Sequence, residues 1–400
     1  MKSIDSDIDK NIVMLLISFC FLSVGDRIFQ FYCIFFVFEY YPKLIVLMTA
    51  ALLIGNIIAF PLFKIMRTLI GDHHLFITAL IIKCICYLTV PYFFENHFSF
   101  SFSFSFFLLA IEAFMDIVTL PYIYSYIDKR IASSFYGVAA KIDLIDRLTL
   151  VSSPWITTAI IKYIHQSSIG VITSACVLVS IFYFMKQKTE SVKSVSEIKG
   201  LKLIWKNNLI LSKEIKLFLL VGIVTTFVTS SLLDVILPAV ALIDIKSDNS
   251  LLMFATLESI LSITFILANL TLVKIKPKAK YLIFSILFMG TAYFLLVFEN
   301  FLIRAGSLVL LGFFFTMYKL NILNLYKNYT DKESFAEILL LRNSLLFIIA
   351  SLSKLIVSAT ISLTGKLEYV LTFNGLVLCF LTIYIYKPMM LVGRQSECDK

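Results

Sequence analysis

Apolar stretches of about 20 residues, enough to cross the hydrocarbon core of a bilayer as a helix, follow one another along the chain. Only one long hydrophilic segment, Lys186 to Lys216, breaks the succession. Lipid offers backbone amides no partners, so such stretches fold as helices that satisfy their own N–H and C=O groups. Of the 400 residues, 60% are hydrophobic and 15% charged, against roughly 25% charged in soluble domains. A soluble globule of this size cannot hide that much apolar surface, and a mean hydropathy of +0.92 equally excludes a disordered chain. The Phe–Ser alternation from Phe98 to Phe107 has the period of a strand. The apolar stretch directly after it makes it the start of a membrane helix instead.

The apolar runs place twelve helices, at about 11–39, 43–70, 74–95, 99–127, 136–163 and 167–186, then 215–243, 250–273, 280–300, 304–326, 336–364 and 368–388. The chain is thus an all-α polytopic membrane protein. Residues 1–186 form an N-terminal six-helix half, 187–214 a basic linker, 215–388 a C-terminal six-helix half, and 389–400 a tail. With the N-terminus inside, the inner segments hold 23 Lys and Arg and the outer loops five: Lys43, Lys162, Lys246, Arg304 and Lys366. That asymmetry places both termini in the cytoplasm, in a multi-pass protein of the cell membrane. It also accounts for the net charge of +9 without a nucleic-acid partner, because lysines near the inner leaflet meet anionic lipid.

No cleavable signal peptide is evident, since Met1 to Lys10 is polar and carries Asp5, Asp7 and Asp9. Six of the seven cysteines lie in apolar stretches, where they serve as small packing residues. Cys84 and Cys86 point about 160° apart on a helix, which is no zinc spacing. Enzyme signatures are missing: there is no phosphate-cradling Gly loop, no CxxC pair and no His-Glu-x-x-His, and the four histidines fall in loops. The sequence therefore predicts neither catalysis nor a resident cofactor.

Charges inside the predicted helices carry the functional information. Seven are basic (Arg27, Lys83, Lys141, Arg147, Lys319, Arg342, Lys354) and seven acidic (Asp26, Glu112, Asp116, Asp143, Asp146, Asp234, Glu258). Each costs at least about 2.5–3.5 kcal/mol at the membrane centre, so such groups pair or face a watery cavity. Asp26 follows Gly25 in mid-helix, where glycine loosens the helix or admits another element. Asp26 and Gln30 share a face and offer hard oxygens suited to a divalent cation. A salt bridge to a neighbouring helix and a proton-coupling carboxylate are the alternatives for Asp26. In the fifth helix Asp143 and Arg147 lie about 40° apart around the axis and read as an internal ion pair and gate. That leaves Asp146 freer to face the cavity. Glu112 and Asp116 share a face of the fourth helix, where two carboxylates bind a cation, share a proton, or pair with Lys83 or Lys141. Asp234 and Glu258 read as structural acids.

Two six-helix halves joined by a long linker is the layout of the major facilitator fold. The resemblance implies substrate near the midplane between halves that rock around it, in a monomer. The signature of that fold in the loop after the second helix, Gly-x-x-x-Asp with trailing basic residues, is poorly kept in Phe60-Pro61-Leu62-Phe63-Lys64-Ile65-Met66-Arg67.

Two segments resemble the ferroportin family of iron exporters. Gly25-Asp26-Arg27-Ile28-Phe29-Gln30-Phe31, running on to Glu39, is similar to the family's first helix. Ile145-Asp146-Arg147-Leu148-Thr149, with Pro154 downstream, is similar to its fifth-helix Ile-Asp-Gln-Leu-Thr segment. The resemblance implies export of Fe2+ or a related divalent cation by alternating access, with Asp26 and Asp146 in the metal pathway. Gln30 stands where animal members often have His. Val177-Leu178-Val179-Ser180 stands for the sixth-helix Asn-Leu-Val-Ser, so Ser180 is kept and the Asn is lost. A second metal site of the family, using a Cys after an Asp on the seventh helix and a His on the eleventh, aligns with Asp234-Val235 and Ser353. Both soft ligands are gone there, which leaves Asp234, Glu112 and Asp116 as candidates for a second site or for coupling. Asp26, Gln30, Asp146 and Ser180 are the candidate metal contacts, and Arg27, Asp143 and Arg147 the candidate gating charges. The rival expectation is export of an organic solute, such as a drug or a metal chelate.

Overall fold

The computed structural model describes residues 2–95, 104–115, 135–165, 168–185, 212–241, 249–272, 279–329 and 332–398. Their regular structure is helical: α1 (Lys2–Tyr40), α2 (Ile45–Ile70), α3 (Asp72–Glu95), α4 (Phe104–Met115), α5 (Phe135–Tyr163) and α6 (Ser168–Met185) come first. Then follow α7 (Lys213–Ala239), α8 (Ser250–Leu272), α9 (Ala279–Leu296), α10 (Phe301–Asn328), α11 (Lys332–Thr364) and α12 (Leu367–Cys398). Among the described residues nine helices are long and apolar enough to span a membrane, and Pro42–Ile58 and Phe104–Met115 are shorter apolar helices. The helix beginning at Phe104 bears out the reading of the Phe–Ser run as helix rather than strand for its described part. Phe98–Ser103 lie outside the described residues.

Three boundaries differ from the sequence expectation. α1 begins at Lys2, because the polar Lys2–Lys10 segment continues the helix past the apolar run. α12 passes through Pro388 and runs to Cys398, so most of the expected tail is helical. The third difference is α7, which is not one regular helix. It is α-helical over Lys213–Thr229, opens into a π turn at Leu232–Ile236, and resumes at Leu237. Pro238 is the physical cause: it has no N–H to return to the Asp234 carbonyl, and its ring crowds that oxygen.

The chain forms two compact units, Met1–Ser194 and Val195–Lys400. In the first, α1 packs on α5 and α6, and α3 packs on α6. Gly25 permits the α1–α6 approach, since a Cβ there would meet Cys176 Cβ and the Thr173 carbonyl oxygen at 3.1 Å. In the second unit α9 packs on α10 and α12, α8 on α10, and α7 on α11. Each unit presents large apolar side chains outward, among them Ile85, Leu178 and Phe182, and Leu363, Phe380 and Ile383. Lipid tails are as apolar as these side chains, so the exposure carries no cost in a bilayer.

Candidate functional site

Asp26 lies in the middle of α1, against one face of α3. Lys83 and Tyr87, four residues apart on α3, share that face. The Lys83 side chain is fully buried, with Nζ 2.8 Å from Asp26 Oδ2 and 3.9 Å from Glu112 Oε1 on α4. The Tyr87 hydroxyl donates to Asp26 Oδ1 at 2.5 Å and lies 3.1 Å from Glu112 Oε1. Phe29 stacks on the Tyr87 ring with centroids 4.1 Å apart. A buried ammonium needs counter-charge close by, because desolvation penalises it by several kcal/mol. Here two carboxylates and the face of an aromatic ring, 5.6 Å away, surround it.

Arg27 points about 100° around the helix from Asp26 and reaches α5. Its Nη2 lies 3.2 Å from Asp146 Oδ1 and 3.4 Å from Oδ2, and its Nη1 donates to Gln30 Oε1 at 3.1 Å. Ser23, one turn before Arg27, donates to Asp146 Oδ1 at 3.4 Å and shares a 2.8 Å hydrogen bond with Thr149. Thr149 in turn donates to the Asp146 carbonyl oxygen at 2.8 Å. The side chains of Arg27 and Asp146 are 30% and 34% exposed.

Two adjacent residues, Asp26 and Arg27, therefore anchor two separate charge networks. The structure brings Gln30 and Asp146 together through the Arg27 guanidinium and places Asp26 in the other network, with Glu112. Of the alternatives for these acids, it realises the salt bridge from Asp26 to a neighbouring helix and the Glu112–Lys83 pairing. Ser180 is buried, and its hydroxyl donates at 2.8 Å to the Ser18 carbonyl oxygen, about two turns before Asp26 on α1. Arg147 is half-buried on α5. Asp116 and the Asp143 side chain lie outside the described residues. In the second unit Asp234, within the π turn of α7, pairs with Lys354 of α11. The Ser353 hydroxyl, aligned with a ligand position, donates to the Phe227 carbonyl oxygen. Among the described residues no group of three or more His, Cys, Asp or Glu is placed to hold a metal ion.

Sequence reasoning missed Tyr87 and Ser23. The signal for Tyr87 was its four-residue spacing from an intramembrane lysine. Ser23 stands four residues before Arg27 in the same way.

Comparison with known proteins extends this picture. A family model described as Major Facilitator Superfamily matches residues 15–354. Among curated proteins none matches the sequence. Solved structures of similar fold include the nucleoside transporter NupG, at 10% identity and TM-score 0.74, covering 95% of this chain and 99% of that one. A bacterial homologue of the iron transporter ferroportin, in an inward-facing state, is 14% identical with TM-score 0.74, over 95% and 98% of the two chains. The xylose transporter XylE from E. coli is 12% identical with TM-score 0.67, over 95% and 99%. At these identities the likenesses establish the fold and leave the cargo open.

Proposed function

The chain belongs to the Major Facilitator Superfamily and is a membrane transporter rather than an enzyme; from that premise we propose that its cargo is a divalent metal ion, iron(II) foremost. The ion leaves the cell by alternating access, through a monomer in the cell membrane with both termini in the cytoplasm.

The position of Arg27 carries this reading. Its guanidinium lies on Gln30 Oε1 and on both oxygens of Asp146, which are hard oxygen ligands of the kind a divalent cation takes. Both side chains are about one-third exposed, and an ion pair that faces an aqueous cavity holds by about 1 kcal/mol or less. A dication brings twice the charge to the same oxygens. Its arrival displaces Arg27, and the return of the tethered guanidinium expels the ion. In this reading Asp26 is not a cargo contact, because with Lys83 it joins α1 to α3. The two segments that resemble ferroportin, Gly25–Phe31 and Ile145–Thr149, share this one network, which supports taking them together.

The test is Fe(II) and Co(II) flux into proteoliposomes, comparing wild type with Asp146→Ala and Gln30→Ala. Saturable flux, lost in Asp146→Ala and weakened in Gln30→Ala, supports the proposal. Its absence in folded, inserted protein sinks it. A second reading, export of an organic solute, is favoured by the absence among the described residues of any three-ligand metal cluster. It predicts no metal flux, and metal tolerance of cells that Asp146→Ala leaves unchanged.

A further inference from the structure

Ser23 of α1 and Thr149 of α5 are buried beside the Arg27–Asp146 pair, and the proton of each hydroxyl can be traced. A carbonyl oxygen only accepts, so Thr149 gives its proton to the Asp146 carbonyl oxygen at 2.8 Å. In the 2.8 Å contact between the two hydroxyls, Ser23 is therefore the donor. Its single proton lies mainly along that contact. The other acceptor in reach, Asp146 Oδ1, is 3.4 Å away, well beyond the about 2.5–2.7 Å of a strong O–H···O⁻ bond. Donation thus runs from Ser23 to Thr149 to the backbone of α5, and it leaves lone pairs on Ser23 Oγ.

Those lone pairs stand where a cation already sits. Ser23 Oγ and Arg27 Nη2 lie 3.4 and 3.2 Å from the same atom, Asp146 Oδ1, and Nη1 of that guanidinium donates to Gln30 Oε1 at 3.1 Å. Ser23, Arg27 and Gln30, spaced by four and three residues, share one face of α1. Two oxygens bound side by side on a six-coordinate dication stand about 2.9–3.5 Å apart, from metal–oxygen distances of about 2.0–2.5 Å. The Ser23–Asp146 separation has that value with no strong hydrogen bond to account for it. An ion that displaces Arg27 takes the volume of its guanidinium, so the site needs no further cavity.

Resting on the metal reading above, we propose that Ser23 is a further ligand of the transported cation, with Thr149 the positioning residue that turns its lone pairs toward the ion. The set is then a carboxylate, an amide oxygen and a hydroxyl, with neither sulfur nor imidazole among them. Oxygen ligands of this kind suit Mn(II), whereas soft metals are selected by thiolates. The site therefore takes Mn(II) together with Fe(II) and discriminates against thiophilic Cd(II).

The experiment is initial-rate flux of Fe(II), Mn(II) and Cd(II) into proteoliposomes, for wild type, Ser23→Ala, Ser23→Cys and Thr149→Val, with the thermal midpoint of each variant. Wild type is expected to carry Fe(II) and Mn(II) with similar KM and Cd(II) poorly. Loss of one neutral polar contact weakens binding about twofold to tenfold, so Ser23→Ala raises KM for Fe(II) and Mn(II) by that factor. Thr149→Val frees the Ser23 proton for Asp146 and raises KM by less. Ser23→Cys replaces the oxygen by sulfur and lowers KM for Cd(II), a gain that a merely structural serine does not give. Ser23→Cys and Thr149→Val nearly keep the side-chain volume, so the test survives a failure of Ser23→Ala to fold. Fe(II) and Mn(II) flux with the same KM in wild type and Ser23→Ala overturns this inference and leaves the metal reading standing. So does a folded Ser23→Cys with unchanged metal preference, or a wild type that takes Cd(II) as readily as Mn(II). Absence of flux of every metal in folded, inserted wild type removes the metal reading and this inference together.

Discussion

Lys83 and Asp26 meet 2.8 Å apart across α3 and α1, with the ammonium fully buried and the carboxylate 21% exposed. The same ammonium stands 3.9 Å from Glu112 on α4, so a single cation links three helices of the first unit. Burying it costs several kcal/mol, which only close, well-oriented acids offset.

Lys83→Met keeps the length of the side chain and removes the charge. It leaves Asp26 and Glu112 sharing a buried neighbourhood without their cation. Breaking a buried pair in this way costs about 3–5 kcal/mol, so the expected outcome is a marked fall in thermal midpoint of the purified protein. Adding Glu112→Gln removes one of the stranded acids and recovers part of the loss. Equal midpoints for Lys83→Met and wild type contradict the assignment.

Asp146→Asn behaves in the opposite way. Its partner Arg27 is as exposed as it is, so solvent screening holds the stability effect to about 1 kcal/mol or less. Transport, in contrast, loses the charged oxygens that take the cation. Unfolding curves that nearly superimpose on wild type, together with collapsed Fe(II) flux in proteoliposomes, form the expected pattern. Intact flux removes Asp146 from the pathway.

Much of this was legible in the sequence. The apolar runs predict helices that the structure contains, because a bilayer leaves the backbone few alternatives. The charges inside those runs marked the site residues. Which charge meets which was not legible. Membrane helices are apolar all round, so the periodicity that orients a soluble helix says little about how α1 is turned. The one-residue step from Asp26 to Arg27 decides between α3 and α5. The break in α7 had a visible cause in Pro238, yet proline inside a membrane helix is tolerated often enough that its presence alone gave no π turn.

In the second unit, the Asp234–Lys354 pair ties the π turn of α7 to α11. Asp234→Asn and Lys354→Met, alone and combined, form a double-mutant cycle on stability. Groups in contact couple by about 0.5–3 kcal/mol, and the partial exposure of both side chains places the expectation at the lower end. The charge swap Asp234→Lys with Lys354→Asp restores part of the loss. Strict additivity of the two single changes shows that the pair does not hold the turn to α11.

Gly25 offers the sharpest steric test, because it sits beside both networks. A Cβ at this position lands 3.1 Å from Cys176 Cβ and from the Thr173 carbonyl oxygen on α6. The carbonyl is fixed in its helix and cannot swing aside as a side chain would. Gly25→Ala therefore pushes α1 from α6, at the cost of about 1–3 kcal/mol for overpacking. The shift carries Asp26 and Arg27 with it, so stability and Fe(II) flux fall together, unlike the separation expected for Asp146→Asn. Cys176→Gly relieves only one of the two contacts and rescues the variant in part. Gly306 is the control: a Cβ there meets nothing within 4 Å, and alanine in a helix interior is favoured over glycine by about 0.5–1 kcal/mol. Gly306→Ala is thus neutral or slightly stabilising in the same assay. If Gly25→Ala matches Gly306→Ala in thermal midpoint and flux, the close approach of α1 to α6 is not a feature of the working transporter.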